Sequence, residues 1–274
     1  MKKILVPTDF SKTANNAKEY AIQLALSFNA EIILLNAFQV PYTGAGTGSL
    51  VNIDKIALDN SEREMKANMD MLENTYSDIK FSSFCTDGFI VDSIKTYSEK
   101  NNIDLIVMGT VGTSGFVGNL LGSNTSALIG STQTPVIVVP GNAKAQRPQQ
   151  IIVATDLTHS GDEKLFDVLR KIGMNYKAEI EFLFIGEDDD KVSNKINKLK
   201  AANFDEKFDA KYRKFHFKES DDIEDEILDY IEDNDVDLLT VISQKRGFLE
   251  DIFHQSVSKS LVKKADLPIL VLPE

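Results

Sequence analysis

A single cysteine, Cys85, stands among 274 residues, so no internal disulfide framework can staple the chain. Cys85 falls in KFSSFCT (80–86), which reads as a strand, and a thiol there is expected to be packed and inert. The three histidines, His159, His216 and His254, share no ligand spacing with one another or with Cys85, which argues against a zinc centre. No apolar run approaches the roughly 18–20 residues of a membrane span. The opening MKKILVPTDFSKT is interrupted by Pro7 and Asp9 too early for a signal peptide, so it reads as a first strand and a cytoplasmic location is expected. A basic surplus is missing too. The net charge of −12 argues against general nucleic-acid binding, which needs a positive footprint. The chain has no G-x-x-x-x-G-K-[ST], and residue order and local context suggest no Ser-His-Asp or Cys-His arrangement.

What the chain does have is a repeat. ILVPTDFS (4–11) returns as IIVATDLT (151–158), and TPVIVVPG (134–141) returns as LPILVLPE (267–274). Asp104 to Pro140 and Asp237 to Pro273 are the same length. A tandem duplication is the expected organisation. Its junction is the polar stretch GNAKAQRPQQ (141–150), giving domains at 1–143 and 148–274. Each half alternates continuous apolar strands with helix patterns, as in KILVPT, TANNAKEYAIQLALSF and EIILLNAF. That alternation predicts the α/β class: two tandem open parallel-sheet domains, strand order 3-2-1-4-5, with helices on both faces. Charge is uneven, net −2 over 1–147 and −10 over 148–274. The acidic runs EDDD (187–190) and ESDDIEDE (219–226) read as solvated helix starts.

Glycine is concentrated. Five of 15 glycines lie at 109, 112, 115, 118 and 122, between the apolar run DLIV and a helix-like run. Bare backbone at such a junction can turn its N–H groups on an anion, and a helix starting at Ser123 adds its positive dipole end. In a 3-2-1-4-5 sheet the ligand crevice lies between the carboxyl ends of strands 1 and 4. Asp9 and Gly109 end those strands and should meet there. A second glycine-rich segment, TGAGTGS (43–49), lacks a lysine and reads as a mobile loop.

Gly109-x2-Gly112-x9-Gly122-Ser123 resembles the G-2x-G-9x-G-(S/T) signature of ATP-binding universal stress proteins, and ILVPTDFS and TPVIVVP resemble that family's first and last strands. The resemblance covers nearly the whole chain and implies two UspA-like domains of the adenine nucleotide alpha hydrolase-like fold. It implies ATP, with Mg²⁺, as the ligand of the first domain. Asp9 would serve the adenosine end, although it could instead cap the following helix in competition with Ser11. The Ala37 backbone would meet the adenine edge. Gly109 and Gly112 would line the phosphates, and Gly122, Ser123, Asn124 and Thr125 would hold the distal ones. The second half keeps only Asp156, Ser256 and an isolated Gly247 of this set. Ile242 or Ser243, Lys245 and Gln255 stand in place of the three glycines, so loss of ATP binding is expected there. The fifth strands, 134–140 and 267–273, are expected to join the halves as an intrachain pseudo-dimer, with a further homodimer left open. The implied role is nucleotide-dependent regulation in stress, with the protein partner unspecified. A slow ATPase or phosphotransfer enzyme and a structural module without nucleotide are the alternatives. No candidate general base or catalytic lysine stands out near the loop. An Asp9 phospho-acceptor would lack its usual lysine, because TPVIVVPG has none.

Overall fold

The computed structural model describes residues 1–39, 50–110, 123–155, 165–186, 213–219, 223–243 and 267–273. Its first half runs β1 (Lys3–Pro7), α1 (Lys12–Phe28), β2 (Glu31–Phe38), α2 (Leu50–Thr75), β3 (Phe81–Asp87), α3 (Ile90–Asn101), β4 (Leu105–Thr110), α4 (Ser123–Ile129) and β5 (Val136–Pro140). The second half shows β6 (Gln150–Ala154), α5 (Asp167–Tyr176), β7 (Glu179–Gly186), β8 (Arg213–Glu219), α6 (Ile223–Asp233), β9 (Leu238–Ser243) and β10 (Ile269–Pro273). Of the acidic run at 219–226, Glu219 ends β8 and residues 223–226 lie in the first turn of α6, whereas residues 220–222, the run at 187–190 and the glycines at 43–49 lie outside the described residues.

The ten strands among the described residues form one sheet, in the order β3-β2-β1-β4-β5-β10-β9-β6-β7-β8. Each half therefore has the 3-2-1-4-5 order expected from its alternation of strands and helices. Every pairing is parallel except that of β5 with β10. The equal spacing noted above makes Val136, Ile137 and Val138 the counterparts of Ile269, Leu270 and Val271. The seam pairs Val138 with Ile269, Ile137 with Leu270 and Val136 with Val271. Ile137 thus faces its own counterpart, and a pseudo-two-fold axis passes between Ile137 and Leu270.

Strand residues alternate between two cores. Ile4, Val6, Ile32, Leu34, Leu105 and Val107 pack on one face with Ala17, Tyr20, Ala21 and Leu24 of α1. Leu5, Ile33, Leu35, Ile106 and Met108 pack on the other with Ile94 of α3 and Leu128 of α4. Burial of each such side chain is worth about 1.5–3 kcal/mol, which is why near-continuous apolar strands belong at the sheet centre. Cys85 is free and half-buried on the edge strand β3, packed against the first of these cores.

One polar clamp occurs in both halves. Asp104 Oδ2, just before β4, accepts from the Lys2 and Lys3 amides at 2.6 and 2.9 Å. Asp237 Oδ2, just before β9, accepts from the Gln149 and Gln150 amides at 2.7 and 3.0 Å. Each carboxylate ties the entrance of a fourth strand to that of the first strand beside it. The junction joins this clamp through Gln146 Nε2, which donates to Asp237 Oδ1 at 2.7 Å.

Candidate functional site

β1 and β4 lie side by side, but β1 continues toward β2 and β4 toward β5, on opposite flanks. Their outgoing chains diverge and leave a cleft of about 380 Å³ at the carboxyl ends. This is the crevice position expected in an open parallel sheet. The turn after β1 supplies Thr8 and Asp9, α1 supplies Thr13 and Ala14, and β2 supplies Ala37. The opposite wall consists of Met108, Gly109 and Thr110 of β4 with Asn124 and Thr125 of α4, and Ile90 of α3 closes one side.

The β1–α1 turn is fixed by its own polar atoms. Thr8 Oγ1 accepts from the Phe10 amide at 3.0 Å, and Phe10 takes a positive φ of 63°. Asp9 Oδ1 accepts from the Ser11 amide at 3.0 Å. Ser11 is the N-cap of α1, its Oγ accepting from the Ala14 amide at 3.2 Å. Of the two candidate caps, Ser11 takes the role. Asp9 stays exposed, shaping the turn with one oxygen.

Gly109 has a packing reason to be glycine. A Cβ there would stand 2.5 Å from Thr13 O, 2.8 Å from Thr13 C and 2.9 Å from Thr13 Cγ2. The first turn of α1 crosses β4 at this residue. The sequence supplies a ligand-based reason for the glycine but no sign of the Thr13 contact. Thr110, the next residue, is buried, and its Oγ1 has no hydrogen-bond partner among the described residues. Nothing in the sequence marks Thr110. A buried hydroxyl without a partner at a cleft wall is the signal that marks it.

Five of the residues named from sequence thus meet in the cleft: Asp9, Ala37, Gly109, Asn124 and Thr125. Ser123 opens α4. Gly112 and Gly122 lie outside the described residues.

Behind the cleft, α1 carries a buried lysine. Lys18 Nζ donates to Asn15 Oδ1 at 2.8 Å and to Asn68 Oδ1 of α2 at 2.9 Å. Burial pulls its pKa below the ordinary lysine value, against the opposing pull of Glu19.

The second half differs at matched positions. Register along β9 and β10 places Ile242, which is buried, where β4 has Gly109. Phe184 and Ile185 of β7 occupy the places of Asn36 and Ala37. Asp156, Lys245, Gly247, Gln255 and Ser256 lie outside the described residues.

The family model described as "Universal stress protein family" matches residues 1–140 and again 175–273. The chain belongs to the universal stress protein family. Two curated relatives from Methanocaldococcus jannaschii align with half of this chain each. Universal stress protein MJ0531 is 33% identical over 140 residues, 81% of its own length. Universal stress protein MJ0577 is 30% identical over 152 residues, 94% of its length. A crystal structure of a universal stress protein from Archaeoglobus fulgidus is similar across 99% of this chain and 98% of its own, with a TM-score of 0.76 at 20% identity. At that identity the likeness speaks for the fold, and it extends over both halves. Among the described residues no helix is long and apolar enough to cross a membrane.

Proposed function

We propose that this universal stress protein binds one adenine nucleotide, ATP, in the cleft of its first half and acts as a nucleotide-dependent regulator in the cytoplasm. The observation that carries the reading is convergence. Asp9, Ala37, Gly109, Asn124 and Thr125, spread over more than a hundred residues of sequence, line one cleft at the topological switch point. Its volume falls in the usual range for small-molecule sites, roughly 300–1,000 Å³. Asp9 offers a carboxylate to ribose hydroxyls or the adenine amino group and repels phosphate. The triphosphate extends the other way, toward Gly109 and the start of α4, with Gly112, Gly122 and Ser123 completing the set. The orphan Thr110 hydroxyl fits a ligand that brings hydrogen-bonding oxygens. Mg²⁺ enters with the nucleotide as its phosphate-bound ion.

The nucleotide unit is residues 1–143. Residues 148–274 form a partner unit that has Ile242 at the position of Gly109 and carries no ATP. Calorimetry with Mg-ATP tests this, and a stoichiometry of one per chain is expected. A value of two would refute the asymmetry, and no binding would favour a structural module. A single-turnover assay with labelled ATP separates binding from hydrolysis, and retention of intact nucleotide is the expected result.

A further inference from the structure

Asn36 and Ser61 form a buried polar pair directly behind the adenosine end of the cleft. Asn36 Nδ2 donates to Thr8 O at 2.6 Å, and Ser61 Oγ of α2 donates to Asn36 Oδ1 at 2.6 Å. Both residues are 7% exposed. The last backbone rung between β1 and β2 is the Thr8 amide on Leu35 O, at 2.8 Å. One step further β1 has ended, and the Asn36 side chain takes the Thr8 carbonyl in place of a backbone donor. Thr8 is followed by Asp9 and Asn36 by Ala37, so this one amide spans the two chain segments that face the nucleoside.

The duplicated half supplies an internal control. There the Thr155 amide makes the same rung to Leu183 O at 3.2 Å. The next residue of β7, however, is Phe184, 2% exposed and part of the apolar core. At this position β7 therefore carries an apolar core side chain where β2 carries an amide. Burying an amide and a hydroxyl is unfavourable unless both are well bonded, so the pair in the first half calls for a reason that the Phe184 position of β7 does not share.

We propose that Asn36 and Ser61 are positioning residues for the nucleoside: they set the spacing between the Thr8–Asp9 turn and Ala37, and they make that spacing depend on the seating of α2. Linkage makes the effect reciprocal, so a bound nucleoside steadies α2. The inference rests on the nucleotide reading above and adds the residues that tune it and the helix that senses it.

Calorimetry on the full chain, with adenosine and with Mg-ATP, is the test. Wild-type protein is measured first, and absence of binding there refutes the nucleotide reading and this inference with it. Given wild-type binding, Ser61→Ala is expected to weaken adenosine and ATP by the same factor, about ten-fold. Ser61→Thr, which keeps the hydroxyl, restores both. The double variant Asn36→Leu/Ser61→Ala makes the pair apolar, as β7 is at Phe184. It is expected to unfold cooperatively but below the wild-type temperature, because the Asn36–Ser61 bond goes at both ends while the Thr8 carbonyl loses its donor, and to lose nucleoside affinity. Hydrogen exchange supplies a readout that a merely structural role would not move. Adenosine should protect the α2 amides around residue 61 in the wild type and not in Ser61→Ala. Unchanged adenosine affinity in folded Ser61→Ala, or equal protection of α2 in both proteins, overturns the proposal and leaves the nucleotide reading standing.

Discussion

Adding one methyl group at Gly109 should disturb both the fold and the site. In Gly109→Ala the new Cβ would lie 2.5 and 2.8 Å from backbone atoms of Thr13 and 2.9 Å from its Cγ2, whereas ordinary contacts run at 3.4–4 Å. Two of the three obstacles are main chain, so no rotamer change relieves them. The first turn of α1 must retreat from β4 by about 0.5–1 Å, and overpacking of this kind costs roughly 1–3 kcal/mol. For a chain of this size the melting temperature should fall by about 2–12 °C. The retreat carries Thr13 and Ala14 with it and drags on the turn that holds Asp9, so nucleotide affinity should drop as well. Gly141→Ala is the matched control. It also abuts Thr13, but its nearest contacts would be 3.6 and 3.9 Å, so its melting temperature should stay within about 2 °C of wild type. Differential scanning calorimetry of the two variants, with and without ATP, decides the matter. If Gly109→Ala melts like Gly141→Ala, the close crossing of α1 over β4 is not the reason for glycine. If it then still loses ATP, the reason lies with the ligand.

Three further outcomes follow from the same geometry. Asp9→Ala should weaken adenosine and ATP by similar factors, whereas Ser123→Ala should weaken ATP more. Losing one bond to a charged group costs roughly 1.5–3 kcal/mol, and a reversed pattern in a two-by-two titration would invert the ligand. Lys177 caps α5 in a left-handed conformation, φ 55°, where its counterpart in α1 is Asn29 at φ 50°. Lys177→Gly should therefore stabilise the protein by about 1 kcal/mol, read as a raised denaturation midpoint, and a lowered midpoint would count against the cap. Finally, burial holds the Lys18 pKa below its unfolded value of 10.5. The unfolded chain then binds more protons between the two values, so this residue's contribution to stability rises as pH climbs from the depressed value toward 10.5. Urea unfolding across the alkaline range should show wild type gaining stability relative to Lys18→Met as pH rises, and parallel curves would contradict it.

The strand order of each half, the duplication and the meeting of Asp9 with Gly109 were legible because each rests on a signal carried along the chain. Alternating apolar strands and helix patterns imply a parallel sheet, and a parallel sheet implies its switch point. Contacts that depend on where one element crosses another were not legible. Nothing in the string around Thr13 says that its carbonyl will rest against Gly109. Asn36 reads as an interruption of the apolar run EIILLNAF. Only the end of β1 beside it shows that a carbonyl there lacks a backbone donor. The paired clamps of Asp104 and Asp237 stood at repeat-equivalent positions and could have been flagged on that ground. Their partners, the amides opening β1 and β6, required the strand neighbours to be known.

The self-matched seam at Ile137 and Leu270 has a consequence for how the two halves could change. Such a register is what two identical subunits would form on a rotation axis, where any substitution appears twice and the contact dissolves on dilution. Here both sides belong to one polypeptide. The contact is intramolecular, so it persists at any protein concentration. A substitution also falls on one side only. The half bearing Ile242 and Phe184 could exchange polar fittings for apolar core while the half bearing Gly109 and Asn36 kept them, and no partner with the wrong combination could be recruited in exchange.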